Sequence, residues 1–340
     1  MKFFRFLLLP FAILYHLVTA CRNFLFDHHI LKSYQFDLPV VCVGNLNVGG
    51  TGKTPQIEYI IRLLSLHFTI ATLSRGYKRQ TNGFVLADDL ATAQSIGDEP
   101  FQFYNKFSNI QVAVDSDRKN GIERLLKSTK TPNIILLDDA YQHRRVKAGF
   151  YILLTTYGDL YTNDYLLPAG NLRESRAGAV RANIIIVTKC PKNIGQLQQQ
   201  NIVKQLGSAA NQNVFFSYTD YDDFIYNNNN KIAITNIRAQ KKLIVAGIAN
   251  PKPFFDFIKN NTDLTLTFAD HHDFDVNDIC KIKLLAQEHL IITTEKDFVR
   301  LKKYDITNLY YLPIKSVFVN NQSAFDQLIF DFIDHQCGLQ

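Results

Sequence analysis

The chain of 340 residues lacks the features that mark several large protein classes. Its five cysteines are scattered without a Cys-x-x-Cys pair, so neither a disulfide framework nor a cysteine zinc site is predicted, and a reducing compartment fits best. The chain has 37 lysines and arginines and 31 acidic residues, and the resulting net charge of +6 is too small to indicate nucleic-acid binding by itself. With 46% apolar and 20% charged residues, the composition predicts a sizeable core, and the length favours two domains.

The N terminus has an apolar run that is short for a membrane span. Sixteen uncharged residues, 6–21, lie between Arg5 and Arg22, whereas a spanning helix needs about 20 apolar residues. The run can be a membrane-associating helix, a cleaved signal ending in the lipoprotein-like Val-Thr-Ala-Cys at 18–21, or a buried amphipathic helix. We favour an uncleaved membrane-associating helix over residues 1–25, whose Lys2, Arg5 and Arg22 would face anionic headgroups. The reason is that the chain also carries a phosphate loop, and nucleoside triphosphate is plentiful only inside the cell.

Apolar strands alternate with helical segments along most of the chain. This alternation predicts an α/β fold with a parallel sheet covered on both faces, here a P-loop NTPase-like core over residues 26–223. A run of four asparagines between two short apolar runs predicts a hairpin linker at 224–235. A smaller C-terminal α/β domain is predicted over residues 236–335. Its strands are expected at 241–250, 264–268, 290–295 and 309–314.

The stretch VGNLNVGGTGKTP at 43–55 has the pattern of a phosphate-binding loop between a strand and a helix. The pattern G-x4-G-K-[ST] places its first glycine at position 47, where this chain has an asparagine. The backbone N–H groups of such a loop surround phosphate oxygens, while its lysine reaches the terminal phosphates and its hydroxyl binds Mg²⁺. The predicted nucleotide-binding residues are Asn47, Val48, Gly49, Gly50, Thr51, Gly52, Lys53 and Thr54.

A second strand end supports a nucleotide site. The run NIILLDDA delivers Asp138 and Asp139 to the end of an apolar strand, where a carboxylate commonly holds Mg²⁺, although a helix-capping role is the alternative. A guanine-specific switch is disfavoured because position 191 is proline rather than aspartate. The stretch VGGTGKT also fits the loop of partition-type ATPases except that Val48 replaces their signature lysine. A membrane-associated partition-type ATPase therefore remains an alternative.

Other charged clusters suit a kinase better than a bare ATPase. A kinase needs a base near the acceptor hydroxyl, a metal for the charge of the γ-phosphate, and cations for an anionic acceptor. The loop SIGDEP contains Asp98 and Glu99, and the segment FADHHDFD at 268–275 contains His271. Candidate cations are Arg75, Arg118 and Arg173. The histidines and acids of 271–275 can alternatively form a metal cluster, or His271 can be an ordinary loop residue.

These segments together resemble a known family. VGNLNVGGTGKTP, LSRGYK, GDEP, LLDDAYQHRR, LLPAGNLRES, AGIANPKPFF, FADHHDF and TTEKD occur in the order typical of tetraacyldisaccharide 4′-kinases, the lipid A 4′-kinases of bacteria with an outer membrane. The resemblance extends from the N-terminal apolar segment to about residue 302. It implies ATP and Mg²⁺, transfer of the γ-phosphate to the 4′-hydroxyl of a tetraacylated glucosamine disaccharide 1-phosphate in lipid A biosynthesis, and action at the cytoplasmic face of the inner membrane.

The resemblance also implies roles for individual residues. Asp98 would take the proton of the acceptor, and His271 would orient Asp98. The implied metal-binding residues are Thr54, Glu99, Asp138 and Asp139, and the implied substrate-binding residues are Arg75, Arg118, Gln142, His143 and Arg173. The chain departs from the family after Gln-His, where it reads RRVKAGF instead of carrying an Arg-Asp pair. It also departs after SRGY, where Lys-Arg replaces glycines.

Overall fold

We describe the protein from a computed structural model, which covers residues 5–227, 230–270 and 272–338. Its α-helices, in chain order, are α1 Leu9–Asp27, α2 Lys53–Leu64, α3 Ala93–Ile96, α4 Asp98–Lys106, α5 Arg118–Leu126, α6 Gln196–Leu206, α7 Ile234–Ile237, α8 Lys252–Ile258, α9 Val276–Ala286, α10 Glu295–Leu301 and α11 Gln322–Cys337. Short 3-10 helices occur at Phe6–Leu8, Tyr161–Asn163 and Arg176–Arg181.

The strands form two sheets. In chain order they are β1 Val40–Asn45, β2 Ile70–Ser74, β3 Val85–Leu86, β4 Gln111–Val114, β5 Ile134–Asp138, β6 Phe150–Thr156, β7 Ile184–Thr188, β8 Asn213–Tyr221, β9 Phe224–Tyr226, β10 Lys231–Ala233, β11 Lys242–Ala246, β12 Leu264–Thr267, β13 Leu290–Thr294, β14 Leu309–Leu312 and β15 Ile314–Phe318. We call the first sheet with its covering helices the first lobe, and the second sheet with its helices the second lobe.

The first sheet has nine strands in the order β15-β8-β7-β6-β1-β5-β2-β4-β3. The strands from β8 to β4 pair in parallel, and only the edge strands β15 and β3 are antiparallel. Every residue of β1, β2, β5 and β7 is buried, as expected for central parallel strands that are covered on both faces. The carboxyl ends of these strands therefore meet along one edge, where α/β sheets bind their ligands.

The second sheet has six strands in the order β10-β9-β14-β13-β11-β12. The four strands β11 to β14 are parallel, while β9 and β10 form the antiparallel hairpin that the asparagine run predicts. The hairpin belongs to this sheet, because Tyr226 pairs with Tyr311 of β14. The segment assigned to a linker is thus an edge of the second lobe, and residues 228 and 229 at its tip lie outside the described part.

The chain returns to the first lobe before it ends, whereas the sequence placed 236–335 in the second. The predicted strand at 309–314 is divided at Pro313, which has no N–H to give to a sheet ladder. After it, β15 pairs with β8 of the first sheet. Helix α11 then buries Phe325, Ile329 and Ile333 in the first lobe's core. Two crossings between lobes therefore connect them.

Helix α1 lies on the surface. Of the helices in the described residues, it alone is long and apolar enough to cross a bilayer by length and composition. One of its faces is strongly exposed, with Phe11, Leu14 and Val18 each more than 60% accessible. These positions are three and four residues apart and so share one side of the helix.

Candidate active site

The phosphate loop lies between β1 and α2, as the sequence predicts. Lys53 is the first residue of α2, and Gly49 and Gly52 have φ values of 122° and 86°, which side chains other than glycine rarely allow. The carbonyls of Gly50 and Thr51 accept hydrogen bonds from Lys189 Nζ at 2.5 Å and Thr188 Oγ1 at 2.7 Å. The end of β7 therefore holds the loop from one side.

Asn47 explains why the loop lacks its usual first glycine. Its Nδ2 donates to Asp164 Oδ2 at 2.9 Å, and both side chains are nearly inaccessible. The next residue of the loop, Val48, donates its N–H to the carbonyl of Asn171 at 2.7 Å. A glycine at position 47 could make no side-chain bond. The asparagine thus fastens the loop to the segment 164–171.

Lys53 reaches into a cluster of charges at the carboxyl ends of β1 and β5. Its ammonium lies 3.3 Å from Asn45 Oδ1 and 3.6 Å from Asp139 Oδ1. Arg173 Nη1 binds the same carboxylate at 2.8 and 2.9 Å. Burial alone would raise the pKa of Asp139, but the positive charges of Lys53 and Arg173 lower it below the usual aspartate value. Asp139 is therefore held as an anion beside the loop.

Asp138 differs sharply from its neighbour. It pairs in register with Val43 of β1, is 4% exposed, and its Oδ1 has no hydrogen-bond partner. Burial, followed by the charge of Glu99, raises its pKa to about 7. A buried carboxylate oxygen without a partner is costly unless a ligand compensates it. This oxygen fits a metal ion, and Glu99 lies close enough for its charge to act on it.

A metal site made only of protein side chains is absent from the described residues, since no three His, Cys, Asp or Glu side chains converge in them. Mg²⁺ usually keeps several waters and binds one or two carboxylates together with substrate phosphates. The donor set here, one buried carboxylate beside a phosphate loop, has that character. Within the same part of the chain, the alternative metal cluster at 271–275 finds no support, because His272 binds Asp278 at 2.7 Å.

Asp98 starts helix α4 and is bound from the second lobe. Arg300 of α10 donates from Nε to Asp98 Oδ2 at 3.1 Å, and its Nη2 binds the same oxygen. Glu99 is the next residue of α4, and its charge acts on Asp138. The two predicted acids of the GDEP loop therefore lie between the nucleotide side and the second lobe. His271 lies outside the described residues.

The remaining predicted substrate residues surround the same strand ends. Arg118 is only 3% exposed, and its pKa is lowered by burial, while Asp138 and Asp139 favour its charge. His143 Nε2 is buried without a hydrogen-bond partner, and burial together with Arg118 lowers the pKa of this histidine to about 4. Arg75 is exposed, and its charge acts on Arg118. A neutral imidazole among arginines can accept a hydrogen bond from an O–H or N–H group of a ligand.

The N-terminal segment binds the loops of the site along its length. Arg5 donates to the carbonyls of Pro168 at 3.3 Å and Gly170 at 2.7 Å, and Tyr15 Oη donates to the carbonyl of Arg173 at 2.7 Å. Asn23 donates to Glu174 Oε2 at 2.9 Å. Arg5, expected to face headgroups, thus binds the 168–171 loop, and Lys2 lies outside the described residues. Arg22 is exposed but also donates to the carbonyl of Gln142 at 3.1 Å.

Gln142 connects the helix to the phosphate loop. Its Nε2 donates to the carbonyl of Asn45 at 2.9 Å and to Glu174 Oε1 at 3.0 Å. Glu174 also binds Arg181 at 2.7 Å. In the departure after Gln-His, Arg144 binds Asp27 at 2.6 Å and Arg145 binds Asp117 at 2.8 Å. These two arginines therefore fasten α1 and the start of α5.

Sequence reasoning missed several residues of this network. Those that contact predicted site residues are Asn45, Asp164, Glu174, Lys189 and Arg300. Glu174 lies within the quoted motif LLPAGNLRES, and Arg300 lies three residues after TTEKD. Asp164 and Lys189 lie outside the motifs, and which partner each of these side chains binds depends on the folded chain.

Comparisons with known proteins place the chain in a family and identify a solved structure with the same fold. The sequence matches the family described as tetraacyldisaccharide-1-P 4′-kinase over residues 4–334. It is 59% identical over 334 residues to the tetraacyldisaccharide 4′-kinase of Flavobacterium johnsoniae, with 98% of each chain covered. It is 44% identical to that of Bacteroides thetaiotaomicron, with 96% of this chain and 92% of the relative covered. The crystal structure of the "apo" form LpxK from Aquifex aeolicus in complex with ATP superposes with a TM-score of 0.80 at 26% identity, with 97% and 99% covered.

Proposed function

The chain belongs to the tetraacyldisaccharide-1-phosphate 4′-kinase family, and from that premise we propose how its residues share the reaction. It is a phosphotransferase that moves the γ-phosphate of ATP to the 4′-hydroxyl of a tetraacylated glucosamine disaccharide 1-phosphate in lipid A biosynthesis. The partition-type ATPase is set aside, since the family that matches nearly the whole chain is a kinase family.

The phosphate loop binds the donor. Backbone N–H groups of residues 47–54 surround the phosphates, and the N-terminal end of α2 adds its positive partial charge. Lys53 exchanges its contact with Asp139 for the terminal phosphates of ATP. Arg173, which holds the Asp139 carboxylate at 2.8 Å, keeps that acid in place when Lys53 leaves it. Arg75, Arg118, Gln142 and His143 line the side from which the anionic acceptor approaches.

Mg²⁺ is the metal that this donor set suits. Thr54, Asp138, Asp139 and Glu99 are the residues that would hold it, and the buried unpartnered oxygen of Asp138 is the observation that supports this assignment. When bound, Mg²⁺ neutralises charge on the transferring phosphoryl group. The protein's own contribution is to hold Lys53 3.6 Å from Asp139 and to bury Asp138 on the strand next to β1.

Asp98 is the base for the acceptor. The oxygen of the 4′-hydroxyl forms a bond to the γ-phosphorus as the bond from that phosphorus to the bridging oxygen of ADP breaks. The hydroxyl proton passes to the Asp98 carboxylate. Asp98 suits this task because it lies next to Glu99, whose charge acts on the proposed metal-binding Asp138. The base and a residue that would hold the metal therefore share the first turn of α4.

One observation carries the proposal: Lys53 lies 3.6 Å from Asp139 at the adjoining strand end. The test measures ADP and phosphorylated lipid with and without a tetraacylated disaccharide 1-phosphate in detergent micelles. ADP should form only with the lipid, in equal amount to the product. Lys53→Ala should lower kcat/KM by about 1,000-fold, since a charge on the transferring phosphates is lost.

Lys252→Ala is the matched control, because that lysine is exposed and its ion pair among the described residues is with Asp256, four residues later on the same helix. It should keep the wild-type rate. Hydrolysis of ATP at full rate without lipid, and without a phosphorylated lipid product, would contradict the kinase mechanism.

We further propose that α1 lies in the interface of the inner membrane's cytoplasmic face rather than across the bilayer. Contacts with the site loops occur from Arg5 to Asn23, which is most of the length of the segment. If α1 spanned the bilayer, these polar loops would enter the hydrocarbon, where unpaired backbone groups are excluded. An interfacial helix instead exposes one apolar face, as Phe11, Leu14 and Val18 do.

The membrane proposal is tested by Phe11→Ser, Leu14→Ser and Val18→Ser combined, which removes apolar surface but keeps the contacts of Tyr15 and Asn23. The triple variant should bind anionic vesicles at least about tenfold more weakly than wild type in a sedimentation assay, since full burial of even one apolar side chain contributes about 1.5–3 kcal/mol. Its turnover of lipid dispersed in detergent should stay within about twofold of wild type. The exposed second-lobe variant Leu284→Ser is the control, and equal vesicle binding by all three proteins would contradict the proposal.

A further inference from the structure

One ion pair connects the acceptor base to the other lobe. Asp98 and Arg300 are 202 residues apart in the chain and belong to helices of different lobes. Two hydrogen bonds from the guanidinium, one from Nε and one from Nη2, go to Oδ2 of Asp98. The Arg300 side chain is 8% exposed and that of Asp98 is 22% exposed, so the arginine side of the contact is shielded from water while the carboxylate keeps some access to the cleft. A planar guanidinium binding in this way restricts the rotation of the carboxylate.

Arg300 is itself fixed by a buried acid. Its Nη1 lies 3.4 Å from Asp297 Oδ1, and Asp297 is fully buried. Asp297 Oδ2 accepts bonds from the N–H of Gly247 and from Thr294 Oγ1, both at 2.7 Å. These partners stand at the carboxyl ends of β11 and β13. The guanidinium is therefore positioned by the centre of the second sheet.

The backbone of Asp98 is held from the first lobe. Gly97 before it has φ 97°, and a Cβ there would lie 3.1 Å from the carbonyl of Tyr77. Asp98 thus has its main chain set by one lobe and its side chain by the other. The full set of constraints exists only when the lobes are together.

Holding the lobes together does not require Arg300. Lys106 of α4 lies 2.8 Å from both Glu58 and Glu295, and Lys302 Nζ donates to Asn105 Oδ1 at 2.6 Å. Val299 of α10 also packs in the first lobe's core. These contacts join the same two helices without touching Asp98. The ion pair of Arg300 differs from these contacts because its partner is Asp98, the proposed base.

We propose that Arg300 is a positioning residue, which aims the Asp98 carboxylate at the acceptor hydroxyl only when the second lobe is docked. The inference rests on the proposed role of Asp98 as the base. The contact between Arg300 and Asp98 makes proton transfer depend on closure of the cleft. While ATP is bound to the phosphate loop and the second lobe is not docked, the carboxylate of the base is not oriented.

The first test compares Arg300→Met, Arg300→Lys and the control Lys302→Met, which removes a neighbouring contact between lobes. Arg300→Met should lower kcat by about 100-fold with KM for ATP within twofold, because misplacing a catalytic group costs about that much. Arg300→Lys should recover about tenfold of the loss. Lys302→Met should stay within about twofold of wild type. A parallel loss in Arg300→Met and Lys302→Met, or a matching rise in KM for ATP, would overturn the proposal.

Added guanidinium ion keeps the test decisive if Arg300→Met is also less stable. Millimolar guanidinium should restore part of the lost kcat in Arg300→Met but not in Lys302→Met, while equal NaCl should restore none. Absence of any restoration in a variant with wild-type melting temperature overturns the positioning role. Restoration in a destabilised variant supports it.

A double-mutant cycle with Asp98→Asn separates this inference from the proposed function. If Arg300 acts through Asp98, Arg300→Met should lower kcat no further in the Asp98→Asn background. If the losses of kcat in the two single variants multiply in the double variant, the role of Arg300 is overturned while Asp98 remains the base. A wild-type rate in Asp98→Asn alone would remove the base itself, and with it this inference.

Discussion

The two sides of the cleft are built in different ways. On the donor side, the phosphate loop, Asp138 and Asp139 follow two adjacent strands of one sheet, and β1 pairs with β5 through Val43 and Asp138. On the acceptor side, Asp98 from the first lobe meets Arg300 from the second. The donor side therefore depends on the pairing of neighbouring strands, and the acceptor side depends on the docking of two lobes.

This difference also appears in how the charges are satisfied. Asp139 has two cations within 3.6 Å, while Asp138 keeps a buried oxygen without a partner. At the lobe boundary, Lys106 lies between two buried carboxylates, Glu58 and Glu295. Because the donor side is formed within one sheet, it can keep the buried Asp138 oxygen without a partner until a ligand binds. A boundary between lobes must instead balance its own charges in order to close.

Among the changes that test this comparison, the largest effect is expected at Asp138. Asp138→Asn should lower the rate of lipid phosphorylation by about 100-fold or more, because a charge at the metal position is lost. It should not lower the melting temperature at pH 8, since the pKa of about 7 shows that burial opposes ionisation of this carboxyl. The measurements are product formation across a Mg²⁺ series and thermal unfolding at pH 8.

Asp139→Asn is the matched comparison, because this carboxylate lies one residue away and binds both Lys53 and Arg173. Its removal leaves two cations without their anion and should lower both rate and melting temperature. Equal stability losses in the two variants would contradict the division between an unsatisfied and a paired acid. A wild-type rate for Asp138→Asn at limiting Mg²⁺ would remove Asp138 from the metal site.

The same contrast decides what could be read from the sequence. The phosphate loop and the strand carrying Asp138 and Asp139 are short, continuous motifs, and alternating strands and helices place them at one edge of a parallel sheet. The sequence therefore predicts the loop at 47–54 after β1 and the two acids at the end of β5, which is where the structure has them. Asn47 was recognised as a departure, but its bond to Asp164 joins positions 117 residues apart.

Contacts between distant segments were not predictable in this way. Nothing local to Arg300 indicates that its partner is Asp98, because the pair forms only through the docking of α10 against α4. The C-terminal helix α11 has an apolar face that would suit either lobe. Its assignment depends on β15 crossing to the first sheet after Pro313, which is a property of the tertiary fold.

A smaller effect is expected at the lobe boundary, where Glu295 titrates. Burial, followed by the charge of Glu58, raises the pKa of Glu295 to about 7 from its ordinary 4.5. The folded protein then binds a proton that the unfolded chain has released, so the free energy of unfolding falls as pH rises from about 4.5 through about 7. Glu295→Gln removes this contribution while its carbonyl can still accept the bond from Lys106.

The variant should therefore lose less stability than wild type between pH 5 and pH 8, by about 2 kcal/mol, which corresponds to about 4–8 °C in melting temperature. Scanning calorimetry at a series of pH values measures the difference. Glu123→Gln is the control, because Glu123 is only partly buried and pairs with Lys119 four residues earlier on α5. Its pH dependence should follow that of wild type. If the melting temperatures of Glu295→Gln and wild type change with pH in parallel, Glu295 does not titrate at the lobe boundary. Closure of the acceptor side would then be as independent of pH as the packing of a buried apolar contact.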